Sequence, residues 1–154
     1  MVAGTGVDSE GMATVSEILA DKSGDLLTID ADDSVLDAVR KMVEANVGSL
    51  LVNVDGSVQG IVTERDYLRR VTLEGRTEKD TPVRDIMTSP LIVIGPETTI
   101  DECMALMTDR RIRHLPVVRD GSIAAVISIG DIVKYQSQQQ SFQIKYLTDY
   151  ITAR

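Results

Sequence analysis

The chain has 154 residues, one cysteine and a formal charge of −8, long enough to bury roughly two-thirds of its unfolded surface in one folded body without a disulfide. The acidity argues against nucleic acid or an anionic membrane surface as the main partner, and a chain with no Trp and few other rings lacks the stacking platform that single strands need. A lone cysteine, with no secretory apolar segment and no long apolar span, points to a soluble cytoplasmic protein.

Residues 1–12 are small and polar and read as a disordered tail. Leu26 to Ile29 is a short apolar run, a strand. Ser34 then opens a segment whose apolar residues Val35, Ala38, Val39, Met42 and Val43 recur at helical spacing, predicting one buried face. Leu50 to Val54 and Val58 to Val62 are β-branched runs separated by Asp55-Gly56-Ser57, a hairpin signal in which Gly56 supplies the positive φ. A helix follows from Glu64 to about Leu73. Glu74 to Thr81 carries glycine and alternating charge and fits an exposed crossover, after which Pro82 suits the start of a short helix through Met87. The scheme then recurs: Ile92 to Ile94 as a strand, a helix with Ile100, Cys103, Met104 and Met107 on its buried face, strands Leu115 to Val118 and Ile123 to Ile127, and a helix from Ile129. From Gln136 a glutamine-rich stretch leads into Ile144, Leu147 and Ile151 at helical spacing, an added helix that packs on the body or on a second subunit.

The recurrence is a duplication. Met42 and Met107, Leu50 and Leu115, Val52 and Val117, Asp55-Gly56-Ser57 and Asp120-Gly121-Ser122, Asp66 and Asp131 all stand 65 apart. Upstream, Val15 to Leu19 matches Val83 to Met87 at an offset of 68, so three residues were gained or lost around Asp21 to Leu27. The fold class read from this is α+β, with tandem β-α-β-β-α repeats: 1–12 as tail, 13–75 and 76–136 as the two repeats, and 137–154 as a helical extension. Clefts between related halves are where a ligand is expected.

The candidate chemistry sits at Thr63-x-x-Asp66 and Ser128-x-x-Asp131, each directly after the hairpin's second strand and directly before a helix. A hydroxyl at a helix start lies beside unpaired backbone N–H groups, which suit a phosphate, and a carboxylate one turn in can accept two hydrogen bonds from a vicinal diol such as a ribose. The same pattern is a capping box, in which the two side chains only satisfy the first donors of the helix. Ser34-x-x-Asp37, Thr98-x-x-Asp101 and Thr99-x-x-Glu102 share it. Position after the hairpin in both copies is what separates the two candidates. His114 is the only histidine, so neither a zinc site nor a catalytic triad is signalled. Cys103, on a buried helix face, reads as a small apolar residue.

Gly-Ile-Val-Thr-Glu-Arg-Asp at 60–66 resembles the ribose-phosphate signature of the cystathionine β-synthase (CBS) domain, and Ala125 to Asp131 is similar except that alanine replaces the leading glycine. Arg113-His114-Leu115-Pro116-Val117 is similar to the strand that lines nucleotide sites in tandem CBS pairs. The resemblance covers about residues 13–136. It implies a pseudo-two-fold pair, usually dimerised, that binds AMP, ATP, ADP or NAD without an obligatory cofactor or metal and regulates a separate protein effector, with no catalytic residue. Carried over, Asp66 and Asp131 hold ribose hydroxyls and Thr63 and Ser128 contact phosphate. Arg113 and His114 lie near phosphate, joined by Arg65, and Pro116 and Ile127 line the ligand. Gly48 and Ser49 stand where the second copy has Arg113 and His114, so phosphate charge is expected to be met mainly from the second copy. Ala125 is expected to narrow a backbone approach that Gly60 allows. The other readings are a ligand-independent dimerisation adaptor and a nucleotide-hydrolysing enzyme.

Overall fold

In the computed structural model the described residues are 12–22 and 26–152, with side chains described to Ser141. The expected tail to Gly11 lies outside them. In chain order the elements are α1 (Val15–Asp21), β1 (Thr28–Asp30), α2 (Val35–Ala45), β2 (Ser49–Val54), β3 (Ser57–Thr63), α3 (Glu64–Tyr67), a π-helical turn (Leu68–Thr72), a 3-10 turn (Val83–Asp85), α4 (Ile100–Arg110), β4 (His114–Arg119), β5 (Ser122–Ser128) and α5 (Ile129–Thr152). The single body expected from length is two packing units, one of residues 26–92 and the other of 12–22 with 93–152.

Each unit is built by the same local chemistry. Ser34 accepts the Asp37 N–H at 3.1 Å to start α2, and Thr99 accepts the Glu102 N–H at 3.1 Å to start α4, satisfying donors that a helix start leaves unpaired. Of the two overlapping caps in the second copy, Thr99 is the one used; the Thr98 hydroxyl instead accepts the Gly95 N–H. Val35, Ala38 and Met42 on α2 and Ile100, Cys103 and Met107 on α4 are buried. Val43, expected on the buried face, is 73% exposed, because it lies beyond the edge of the stripe that 35, 38 and 42 define. Both helices end on a left-handed residue, Asn46 and Arg111, each with φ 54°, followed by matching closures from Val47 N–H to the Met42 carbonyl and from Ile112 N–H to the Met107 carbonyl, both 3.0 Å.

β2 and β3 form an antiparallel hairpin, as do β4 and β5. The turns place Asp55 and Gly56, and likewise Asp120 and Gly121, at positive φ, so aspartate shares with glycine the backbone geometry of a type I′ turn. A bulge falls at Val52/Asn53 and again at Val117/Val118. β1 pairs in parallel with β2. Its expected counterpart Ile92 to Ile94 is reduced to one bridge, Ile94 with Val117, and two prolines explain why. In the first copy the flanking bonds are Leu51 N–H to the Leu27 carbonyl at 3.0 Å and Ala31 N–H to the Asn53 carbonyl at 2.9 Å. Sixty-five residues on, both donors are prolines, Pro116 and Pro96, which have no N–H.

The segments matched at offset 68 are exchanged. Val15 N–H donates to the Thr98 carbonyl at 2.8 Å and Ile100 N–H to the Ala13 carbonyl at 3.0 Å; Val83 N–H donates to the Asp33 carbonyl at 2.8 Å and Val35 N–H to the Thr81 carbonyl at 2.8 Å. The stretch leading into the first repeat thus packs with the second repeat, burying Val15 and Ile18, and the stretch leading into the second packs with the first, burying Val83 and Ile86. The three-residue difference in offset falls where the chain passes from one unit to the other. The expected helix after Pro82 is one 3-10 turn.

The helix after β3 widens into the π turn, closed by Leu73 N–H to the Leu68 carbonyl at 3.1 Å. α5 runs unbroken through Gln136, so the closing helix of the second repeat and the expected extension are one element. The side chains of Ile144, Leu147 and Ile151 lie outside those described. The crossover is tied down: Glu78 and Thr81 carbonyls accept from Leu36 and Val35 N–H, and the Thr81 side chain is buried.

Candidate functional site

The two hydroxyl-acid motifs occupy equivalent corners, one in each unit. Thr63 ends β3 opposite Ser49, and Ser128 ends β5 opposite His114. The next N–H in each case returns to the neighbouring strand: Glu64 to the Gly48 carbonyl at 3.1 Å, Ile129 to the Arg113 carbonyl at 2.9 Å. Each corner therefore sets hydroxyl, carboxylate and the residues before the adjacent strand side by side.

The capping box is real in both. The Thr63 hydroxyl accepts the Asp66 N–H at 3.2 Å, while Asp66 Oδ2 accepts the Thr63 N–H at 2.9 Å and the Thr63 hydroxyl stands 3.1 Å from the same oxygen. The Ser128 hydroxyl accepts the Asp131 N–H at 3.1 Å, and Asp131 Oδ2 accepts the Ser128 N–H at 2.9 Å. The bonds that each carboxylate accepts within its box all end on one oxygen, Oδ2. Among the described residues, no bond is made to Oδ1 of either aspartate, so the box fixes the carboxylate's direction and leaves its second oxygen with unused acceptor capacity.

Electrostatics separate the corners. Burial pushes the Asp66 carboxyl up, against the Thr63 bonds and the charges of Arg70 and Arg69, which pull it down. For Asp131 burial also acts upward, but it is outweighed by a hydrogen bond from Lys22, the bonds from Ser128 and the Lys22 charge, and the carboxyl lies below its ordinary value. The Lys22 ammonium stands 2.6 Å from Asp131 Oδ2 and also donates to the Val126 carbonyl. His114 is held below its ordinary value by burial and by the Lys22 and Arg113 charges, with Asp131 opposing, a setting that favours the neutral imidazole.

The remaining expected residues fall as follows. Arg65 and Arg113 are exposed and His114 is half-buried. Pro116 is buried with its carbonyl taken by Ile94 N–H at 3.0 Å, and Ile127 is fully buried in the core of its unit. The structure thus gathers Ser128, Asp131, Arg113 and His114 at one corner, and Thr63 with Asp66 at the other. Positive charge is not confined to the second copy, since Arg69 and Arg70 act on Asp66. The space at Gly60 has an internal tenant: a Cβ there would lie 2.9 Å from Met87 Sδ and 3.0 Å from the Thr88 carbonyl oxygen. Clearance at Gly60 is thus used by the chain's own edge segment, which bridges Ile61. Lys22 was not foreseen, because the exchange of leading segments that brings it to the second repeat is not a local pattern. Cys103 is buried, and burial with the Glu102 charge pushes its thiol up to about 11, far from a reactive thiolate.

The CBS domain family model matches residues 14–72 and again 83–138. The chain belongs to the CBS domain family. It is 42% identical over 147 residues to the mitochondrial CBS domain-containing protein CBSX3 of Arabidopsis thaliana, covering 90% of this chain and 71% of that one. Among solved structures, a protein with CBS domains from Burkholderia ambifaria MC40-6 is 45% identical, covers 80% of this chain and 93% of its own, and superposes with a TM-score of 0.76. A hexameric CBS-CP12 protein from bloom-forming cyanobacteria is 31% identical, covering 79% of this chain and 71% of its own, with a TM-score of 0.71. The two corners are thus equivalent positions of two CBS repeats in an α+β chain, and CBS-pair proteins are in general regulatory, ligand-binding modules. Among the described residues no helix is long and apolar enough to cross a membrane.

Proposed function

We propose that this CBS pair is a sensor of adenosine nucleotides, with AMP the first candidate and ATP, ADP and NAD the others. The observation that carries the reading is the pair of aspartates whose Oδ2 is fixed by a capping box while Oδ1 makes no bond among the described residues. Each stands beside a hydroxyl at a helix start. In this reading Asp66 and Asp131 accept ribose hydroxyls, Thr63 and Ser128 meet phosphate, and Arg113 with Arg65 supplies charge. The chain carries no catalytic residue in this account and acts by changing the affinity or geometry of an interface, in the cytoplasm or another reducing compartment.

Each unit exposes apolar side chains on or beside its helices. In the first repeat Val43, Leu68 and Leu73 are 73, 53 and 81% exposed, and in the second Val133 is 58% exposed; on the first repeat Val39, Met42, Val43, Val47, Tyr67 and Leu68 contribute to a 480 Å³ groove. Homodimerisation through these helices, or docking of an effector protein, would cover them. A ligand alters such an interface only through differential affinity for its states.

A thermal-shift panel of AMP, ADP, ATP, NAD and cyclic nucleotides tests the reading, because a ligand that binds only the folded state raises its melting temperature by mass action. A rise that grows with AMP concentration is expected. No shift with any member would favour a dimerisation adaptor that works without ligand.

A further inference from the structure

Lys22 belongs to no repeat motif, yet it reaches the centre of the second corner. α1 ends at Asp21, and the Lys22 N–H closes it on the Leu19 carbonyl at 3.2 Å. From there the ammonium binds Asp131 Oδ2 and the Val126 carbonyl. An ammonium has three donors, so one remains beyond these two. The first repeat has no such group: the residue matching Lys22 at offset 68 is Pro90, and the carbonyl matching Val126 is that of Ile61, which accepts the Thr88 N–H at 2.8 Å.

The contact is open to solvent. The two side chains are 34% and 28% exposed, a setting in which an ion pair adds little net stability and can be given up for a better partner. A phosphate offers a flexible lysine more charge and more acceptor oxygens than one carboxylate oxygen. Burial and the Lys22 and Arg113 charges hold His114 below its ordinary value, so the positive charge at this corner comes from Lys22 and Arg113.

We propose that Lys22 sets the phosphate requirement of the Asp131 site: ribose hydroxyls engage the carboxylate, and the ammonium turns from Asp131 to the ligand's phosphate. The inference rests on the nucleotide reading above and adds to it a lysine-borne discrimination of nucleotide from nucleoside at the second site, for which the first repeat has no matching lysine.

The test is calorimetric titration of the full chain with AMP and, separately, adenosine, in the wild type and in Lys22→Met and Lys22→Arg, each variant also in an Asp66→Asn background that weights the second site. Loss of a charge-assisted bond predicts that Lys22→Met in that background lowers AMP affinity by about tenfold or more while adenosine affinity holds or rises, with Lys22→Arg recovering most of the difference. A merely structural role for the ion pair would move both ligands together. An AMP-to-adenosine affinity ratio within about twofold of the Asp66→Asn parent overturns the inference while leaving the sensor reading intact. If the wild type binds neither AMP nor any other adenosine nucleotide, the sensor reading fails and this inference with it.

Discussion

Gly60→Ala puts a methyl group into space that the chain itself occupies. Its Cβ would stand 2.9 Å from Met87 Sδ and 3.0 Å from the Thr88 carbonyl oxygen, inside ordinary van der Waals contact. The thioether end of Met87 can rotate away. Thr88 cannot move as freely, because its carbonyl accepts the Ile61 N–H at 3.0 Å and its own N–H donates to the Ile61 carbonyl at 2.8 Å. Overpacking of this kind costs about 1–3 kcal/mol, and the lower chain entropy of alanine in a strand returns about 0.5–1 kcal/mol. The net, taken at mid-range, is a destabilisation of about 1 kcal/mol, or roughly 2–4 °C in Tm for a chain of this size. Thermal melts followed by circular dichroism measure it, and Met87→Ala added to Gly60→Ala should not restore stability, since the backbone contact remains. A Tm for Gly60→Ala equal to or above wild type would refute the reasoning and return Gly60 to service as clearance for a ligand.

Three further outcomes follow from the packing. His114 has its pKa depressed in the folded chain, so the unfolded chain binds the extra proton first as pH falls; the associated stability is complete above about pH 6.5 and is lost as pH drops through that value toward the folded pKa. Urea denaturation across pH 5–8 should show this slope in the wild type and a shallower one in His114→Leu; identical slopes would contradict it. Thr99→Ala removes the hydroxyl that accepts the Glu102 N–H and should cost about 1 kcal/mol in the same assay, whereas Thr98→Val should disturb the Gly95 turn and leave the start of α4 in place. Cys103, with its thiol pushed up to about 11, should resist a thiol reagent at pH 8 until the chain is unfolded; rapid labelling of the native protein would show that the helix face opens.

Local chemistry was what the sequence displayed best. The two Asp-Gly turns, the Ser34 and Thr99 caps and the buried stripes of α2 and α4 each depend on residues within one or two turns of one another, and all are present apart from Val43, which lies outside its stripe. The loss of a strand at Ile92 to Ile94 was written in Pro96 and Pro116, but its meaning emerges only once the register of the first copy shows that those positions must donate. The exchange of leading segments was hidden because Val15 and Ile18, or Val83 and Ile86, look alike whichever repeat they pack against. Its one trace was the change of offset from 65 to 68. Lys22 was hidden for the same reason, being 109 residues from Asp131. The two motifs themselves were legible as hydroxyl and acid, yet pattern alone left cap and ligand site as rivals; the coordinates show one carboxylate oxygen in the cap and the other without a bond among the described residues.

The most direct measurement is calorimetric titration of AMP into the wild type, Asp66→Ala, Asp131→Ala and the double variant, with each fold confirmed by its melt. Each single change is expected to weaken AMP binding at its own site by about tenfold or more, as when a charged hydrogen-bond acceptor is removed, and the double variant to bind none measurably. Unchanged AMP affinity in the double variant would contradict the assignment of both aspartates to the ribose.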